Sequence, residues 1–485
     1  MRKQLIGLLA SAALAGCSFA PAYRQPSLPV APAYAEPEGG SRLATDIAWR
    51  DYFGDPRLRT YLDAALTNNR DLAASLARIA EARAQYRIQD ASRLPHIDLS
   101  GSATRTRTPL DIATGGQSDP AAGTNPSSIT GNVYQAGVGV SAFELDLWGR
   151  VRNLSDAARA NYLASIEGAR AFRLSLISSV AATYFQLRAG EEQIALAERT
   201  LASRQEGVEI ARLRMDAGVT SSADYDQSVT LLTQARTDLA QVQRTTAQTE
   251  NLLTVLIGGP LVAPPPAPRA IDDQGLFTAI DPGLPSALLI NRPDILQAEQ
   301  QLRATNANIG AARAAFFPSI SLTGNYGFAS TELSDLFKGS TQSWSFGGML
   351  NLPIFDFGRR SAELGVAKAQ RDQAVAGYQK AVQTAFREVS DALVGRRRLH
   401  EQIAAQIDAV AAQTRLAETA RLRYDNGIAL YLEVLDAERN LFASEQQLLQ
   451  LRSAELQNAV SLYTALGGGL VEKNDAPSGN AESEP

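Results

Sequence analysis

The sequence predicts a mixed, mainly α fold with four β-strands per chain, assembled from two copies of one plan. Three observations carry this: a block repeated at constant spacing, two proline-free stretches of more than sixty residues, and four segments in which apolar and polar residues alternate. Composition narrows the class. Of 485 residues, 45% are hydrophobic and 20% charged, too apolar for a disordered chain and too charged for a multi-span helical membrane protein. One cysteine and two histidines exclude a disulfide framework and a Cys/His zinc site. Lys+Arg 46 against Asp+Glu 51 leaves −5, so no basic footprint argues for nucleic acid.

The duplication is read from matched residues. Glu209, Ala211, Arg212, Leu213, Arg214, Asp216 and Gly218 recur as Glu418, Ala420, Arg421, Leu422, Arg423, Asp425 and Gly427, always 209 positions on. The match runs without a gap to Leu253 and Leu462, then to Gly258 and Gly467. Upstream, Pro95, Ile97, Leu99 and Gly101 answer Pro318, Ile320, Leu322 and Gly324 at an offset of 223, while Gly149 and Arg150 answer Gly358 and Arg359 at 209. The first copy therefore carries 14 extra residues, within the Gly/Pro/Ser-rich loop 109–128.

The amino terminus reads as an address. Arg2 and Lys3 precede an apolar run of about ten residues, half of what a spanning helix needs, so 1–16 is a secretory signal. Leu14, Ala15 and Gly16 before Cys17 resemble a lipobox, which makes Cys17 the acylated first residue of the mature chain. Ser18 follows, and the resemblance to bacterial lipoproteins implies that a non-aspartate there favours the outer membrane. Removing Arg2 and Lys3 takes the charge from −5 to −7. Residues 17–55 form an extended segment ahead of the first repeat, 56–258.

That repeat begins with a helix over 56–93 and continues into strands near 95–108 and 131–149. Ile97, Leu99 and Ala103 share one face, and Tyr134, Val138 and Val140 do so on the return. Phe143, Leu145 and Leu147 then change parity, which predicts a bulge near Ala142. In the second copy, strands near 318–328 and 342–357 put Ile320, Leu322, Tyr326, Phe328, Trp344 and Phe346 on the apolar face. Segments of about ten residues, apolar outward and polar inward, suit a membrane barrel, although a soluble sandwich shows the same alternation. Four strands leave two edges, which hydrocarbon does not tolerate, so a barrel needs further copies. Two copies give eight strands with a filled interior; three give twelve with a lumen. The small inward residues Gly137, Gly139, Ser141, Ser321 and Gly347 favour an open interior.

Long helices follow over 152–215 and 359–424, each reaching about 95–100 Å at 1.5 Å per residue. Shorter helices return over 222–257 and 430–466, and the second repeat, 286–468, opens with a helix over 286–315. Leu435, Phe442, Leu449, Leu456 and Tyr463 recur every seven residues, as coiled-coil packing requires. Such stripes serve packing and name no function. Residues 259–285, with Pro264, Pro265 and Pro266, read as a stiff extended linker, and 469–485 as a disordered acidic tail.

These features resemble the TolC-like outer-membrane efflux factors, nearest the lipidated OprM-like or NodT subgroup. The most specific residues are Asn291, Arg292, Pro293, Asp294 and Ile295, then Ala298, Glu299, Gln300, Leu302 and Arg303, then Arg313, Phe316, Phe317 and Pro318, with Cys17, Ser18, Pro21 and Tyr23 at the start. The resemblance implies a homotrimer in which a twelve-stranded transmembrane barrel continues into a periplasmic α-helical barrel. It implies partners: a periplasmic adaptor, a proton-driven inner-membrane pump of the resistance-nodulation-division type, and outer-membrane lipid. The cargo would be drugs or other small toxic compounds, and no cofactor beyond the lipid on Cys17 is implied.

Candidate site residues lie at the two helix-to-helix turns and in the last helix. Arg214 and Gly218, and Arg423 and Gly427, match the tips at which the family's adaptor docks; capping serves equally well as their reason. Leu432, Asp436 and Arg439 match its aperture. Leu432 and Asp436, at i and i+4, share a helix face, and three copies would make an apolar ring beside a carboxylate ring. Three carboxylates about 6 Å apart repel by only ~0.7 kcal/mol per pair in a water-like dielectric, which Arg439 offsets. An ordinary Asp–Arg pair on a wet helix is the alternative. Gln227 replaces Asp436 in the first copy.

Other classes fit less well. His96 and His400 stand without a triad, metal spacing or phosphate loop, so no enzyme is expected and energy must come from partners. Type I protein secretion would use the same duct. A structural or adhesive coiled-coil trimer leaves the twice-inserted strand hairpins unexplained.

Overall fold

The computed structural model describes residues 18–34, 42–109, 128–278, 280–283 and 285–470. Cys17, most of the extra loop and the acidic tail from 471 lie outside them. The chain divides into two compact units, each drawn from both repeats. One comprises Met1–Gln25, Ala80–Leu163 and Gln300–Ala376; the other comprises Pro26–Ile79, Ala164–Glu299 and Gly377–Pro485. The main helices are α1 Pro56–Asn68, α2 Arg70–Ala91, α3 Arg150–Asp216, α4 Ser222–Leu256, α5 Pro293–Ala314, α6 Arg359–Asp425 and α7 Tyr431–Ala465. α3 and α6 have 67 residues each, and α4 and α7 have 35 each.

In the first unit, β1 Ile97–Pro109, β2 Ser128–Glu144, β3 Ser319–Ser330 and β4 Gln342–Asn351 form an antiparallel sheet in chain order, with β1 and β4 as its edges. Leu99 lies opposite Val138, Val138 opposite Tyr326, and Tyr326 opposite Trp344, so an apolar row crosses all four strands. That row is open: Leu99 is 81% and Trp344 74% exposed in the single chain. The β2–β3 register jumps between Val140 and Phe143, where Ala142 has φ 52°, so the parity change is a bulge.

Two strands are shorter than their alternation suggested. β2 stops at Glu144 and β4 at Asn351 because the next segment already prepares a helix. The Asp146 carboxylate accepts the backbone N–H of Val151 and Arg152 at 3.1 and 2.7 Å, starting α3 at Arg150 rather than 152. Asp356 accepts the Arg360 N–H at 3.2 Å before α6. The inward glycines also need a second reason. A Cβ on Gly137 would meet the Tyr326 carbonyl oxygen at 2.8 Å, and one on Gly327 the Ala136 oxygen at 2.3 Å. Close approach of β2 to β3 therefore requires Gly137 whatever the width of the interior, whereas a Cβ on Gly347 would meet nothing within 4 Å.

The residues that follow Cys17 are seated on this unit. Phe19 stacks on Phe317 with ring centroids 4.6 Å apart, and Arg313 donates to the Phe19 carbonyl at 3.1 Å. Asn306 donates to the Pro21 carbonyl at 2.7 Å, and the Arg303 guanidinium lies 4.9 Å from the Tyr23 ring centroid.

The second unit holds the main core, where Tyr52, Phe53, Tyr184, Phe185, Tyr378 and Tyr463 are fully buried. Burying a hydroxyl calls for a partner, and three of these tyrosines have one: Tyr463 donates to the Ile47 carbonyl at 2.6 Å, Tyr52 to the Ala459 carbonyl at 2.8 Å and Tyr184 to the Asp55 carboxylate at 2.6 Å. Residues 42–55 thus contribute Ala44, Ile47, Trp49, Tyr52 and Phe53 to the core and are not simply an extended segment: Trp49–Tyr52 is a helical turn, and Arg42–Leu43 pairs in parallel with Ile280–Asp281. The linker is likewise only partly free, because Ile271, Gln274 and Ile280 are buried.

The first helix of each repeat is broken where one helix was expected. Asn69 separates α1 from α2 with ψ 128°; its side chain accepts the Leu72 N–H at 2.8 Å and donates to the Leu256 carbonyl at 2.8 Å. Arg292, followed by Pro293, separates the short helix Leu288–Asn291 from α5. The residue before a proline avoids the helical region, and proline is at home at a helix start.

Candidate functional site at the hairpin tips

The α3–α4 and α6–α7 turns, both in the second unit, share a backbone plan. Gly218 and Gly427 have φ +70° and +71°, and their N–H groups donate to the Met215 and Tyr424 carbonyls at 2.9 Å. The next N–H of each turn, from Val219 or Ile428, returns to the Arg214 or Arg423 carbonyl at 2.9 Å, which closes both helices. A left-handed φ is why glycine stands at each position.

The starts of the return helices differ. Ser221 caps α4 in a capping box with Asp224, whose carboxyl is held below the usual range by hydrogen bonds from Thr220 and Ser221. Its counterpart at offset 209 is Leu430, which gives α7 no side-chain cap. Losing a serine cap costs about 0.5–2 kcal/mol, so the first turn of α7 depends on other contacts. Arg423 supplies one, an ion pair with Glu433 at 3.0 Å across the turn. Tyr431 supplies another, its ring centroid 4.9 Å from that of Tyr424. The Arg214 guanidinium in turn lies 4.9 Å from the Tyr424 ring centroid, joining the two hairpins.

The four tip residues expected from sequence therefore divide. Arg214 and Arg423 are engaged within the chain, whereas a Cβ on Gly218 or Gly427 would meet nothing within 4 Å. Around these glycines, Leu213 and Val219 are exposed on one tip, and Leu422 and Ile428 on the other. These are pairs at offset 209, a repeated apolar surface that sequence reading passed over.

In α7, Leu432 is exposed, whereas Val434 and Leu435 beside it are buried. Asp436 and Arg439 pair at 3.2 Å, both about half exposed. Leu432, Asp436 and Arg439 thus fall at i, i+4 and i+7 on one stripe, opposite the buried Val434 and alongside the buried Leu435. Next to it a cavity of about 140 Å³ is lined by Arg214, Asp224, Gln227, Tyr424, Tyr431 and Leu432, among others. Among the described residues, no group of three or more His, Cys, Asp or Glu gathers as a metal site. His96, just ahead of β1, lies 2.9 Å from the Asp98 carboxylate.

A family model described as outer membrane efflux protein matches residues 61–259 and 284–468, which covers both repeats and both hairpins. The chain belongs to this family. The toluene efflux pump outer membrane protein TtgC of Pseudomonas putida is 41% identical over 491 residues, spanning 100% of this chain and 99% of TtgC. The cation efflux system protein CusC of Escherichia coli K12 is 40% identical over 473 residues, spanning 96% and 99%. Among solved structures, the open state of the MtrE outer membrane channel of Neisseria gonorrhoeae has a TM-score of 0.84 at 37% identity, covering 94% of this chain and 99% of MtrE. The chain is accordingly an outer-membrane efflux channel protein, of a family of ducts. Its four strands and long helices are the family's barrel and periplasmic extension. TtgC and CusC stand at nearly the same identity with different cargo in their names, so overall likeness does not select a cargo.

Proposed function

We propose that three copies of the chain, each lipid-anchored through Cys17, close one twelve-stranded barrel. The assembly passively conducts drugs or other small toxic compounds delivered by a proton-driven inner-membrane pump and a periplasmic adaptor, and catalyses nothing itself. The open sheet carries this reading. Its apolar row faces outward, and in hydrocarbon each unpaired backbone group of the β1 and β4 edges costs several kcal/mol. Edge-to-edge closure with two further copies removes both edges and leaves a lumen. The exposed Leu213, Val219, Leu422 and Ile428, beside open Gly218 and Gly427, suit an adaptor that lays an apolar helical face on both tips. Leu432 and Asp436, repeated three times, form the aperture.

Native mass spectrometry of detergent-extracted protein is expected to give three times the mass of one lipidated chain. A single-chain mass as the sole species refutes the barrel. Cys17→Ser is expected to lose the acyl mass yet stay trimeric, because closed strands anchor without lipid and Phe19, Pro21 and Tyr23 keep their own contacts. Loss of the trimer in that variant gives the lipid an assembly role that this account does not contain.

A further inference from the structure

The last helix starts in a hole in the first long one. Gly207 is buried in α3, and a Cβ built on it would lie 2.3 Å from the Tyr431 hydroxyl oxygen and 3.2 Å from Cζ. Tyr431 is the first residue of α7, immediately before Leu432. Two turns further along α7, Glu438 accepts from the buried Arg204 guanidinium at 3.1 Å and from the Ser203 hydroxyl at 3.0 Å. Arg204 and Gly207, one turn apart on α3, thus receive Glu438 and Tyr431, two turns apart on α7. The aperture stripe begins one residue after Tyr431, so the height and rotation of Leu432 and Asp436 follow from where Tyr431 is seated. This seat matters more because α7 has no side-chain cap.

The duplication isolates the contact. At offset 209, Gly207 becomes Leu416 and Tyr431 becomes Ser222; Arg204 becomes Gln413 and Glu438 becomes Val229. None of these can form a glycine seat for a ring or an ion pair. A side chain seated on a helix glycine does occur elsewhere in the second unit, and there the seated group is small. Thr246 Oγ1 would be 2.4 Å from a Cβ on Gly190, and Asn458 Oδ1 2.2 Å from one on Gly395. Gly207 is the seat that borders the aperture.

We propose that the Gly207 notch is the seat that positions Tyr431, and through it holds Leu432 and Asp436 where they narrow the duct. Unseating the ring releases the first turn of α7 and widens it. The proposal rests on the aperture reading given above. Its test is the mean current per trimer in planar bilayers, with the helical unfolding midpoint of the same preparations followed by circular dichroism. Gly207→Ala overfills the notch, and overpacking of this kind shifts a two-state balance on the order of tenfold, so the current is expected to rise by about that factor. Tyr431→Ala empties the seat without overfilling it and is expected to raise the current likewise. Tyr431→Phe removes only the hydroxyl and should change the current less than about twofold. The double variant Gly207→Ala/Tyr431→Phe is the decisive arm: methyl replaces hydroxyl, and the current should return to within about twofold of the native value.

A native current in both Gly207→Ala and Tyr431→Ala overturns the proposal, as does a raised current that the double variant fails to restore. Gly190→Ala overfills a seat away from the aperture; it should lower the unfolding midpoint without raising the current, and an equal rise there means general loosening instead of a seat. Asp436→Ala in the same assay separates the two readings. If it changes nothing while the Gly207 series behaves as expected, the aperture residues are wrongly assigned and the seat stands. If it alone acts, the seat is refuted.

Discussion

Replacing Asp436 by alanine is expected to raise ion conductance through the reconstituted channel and to move its preference from cations toward anions. In each chain the Asp436 carboxylate lies 3.2 Å from the Arg439 guanidinium, one helical turn away on the stripe that carries Leu432. The pair is about half exposed, so by itself it is worth only ~0.2–1 kcal/mol. Its effect at an aperture comes from what remains when it is broken. Three guanidinium groups gathered about 6 Å apart make three repulsive pairs of ~0.7 kcal/mol each, roughly 2 kcal/mol before salt screening. That is enough to move an open-to-closed ratio on the order of tenfold. The sign of the selectivity follows from the same charges: a ring that loses its carboxylates and keeps its guanidiniums attracts anions. Planar-bilayer recordings with reversal potentials in a salt gradient read both quantities. Unchanged conductance together with unchanged preference removes Asp436 from the aperture.

Much of the fold was legible because it rests on periodicities that sequence displays directly. The 209-residue offset, the sevenfold stripe through Leu435 to Tyr463 and the parity change at Ala142 needed no long-range information. What escaped depended on partners far along the chain. Asn69 stands between Asn68 and Arg70 without a proline or glycine; its role as a break becomes visible only with the Leu256 carbonyl that its side chain meets, although asparagine ahead of Arg70 and Asp71 is a cap signal. Trp49, Tyr52 and Phe53 carry enough apolar surface to announce a core, yet the whole of 17–55 was expected to be extended; their core role shows only with the partners they meet far along the chain, such as the Ala459 carbonyl for Tyr52. In the candidate site, the turn positions of Gly218 and Gly427 were readable from the duplication, while Leu432, Asp436 and Arg439 were singled out by family resemblance alone. The seating of Tyr431 was not, since a lone glycine inside a long helix shows no trace of the side chain that fills it.

Arg292→Ala is expected to destabilise the folded chain by about 3 kcal/mol, and it explains a motif that sequence marked without giving it a task. Arg292 is 8% exposed and has three partners. Its Nε and Nη2 donate to Asp294 at 3.0 and 2.7 Å, Nη1 pairs with Glu388 at 2.8 Å, and Nη1 also donates to the Ala465 carbonyl at 3.0 Å. One planar guanidinium therefore ties the start of α5 to the middle of α6 and to the last carbonyls of α7, which the helix cannot pair internally. Pro293 keeps Arg292 out of the helical region, and Gly467 is held nearby because a Cβ there would meet the Asn291 carbonyl oxygen at 2.9 Å. Removing one partner of a buried ion pair costs about 3–5 kcal/mol. The lower figure applies because Asp294 and Glu388 are more than a third exposed and can turn to water, while the Ala465 carbonyl loses its donor outright. Arg292→Lys keeps the charge but cannot span three acceptors in one plane, so it should recover less than half of the loss. Guanidinium unfolding followed by helical circular dichroism at fixed trimer concentration gives both values. A native midpoint for Arg292→Ala, or full recovery by lysine, means that the forked geometry is not what joins these three helices.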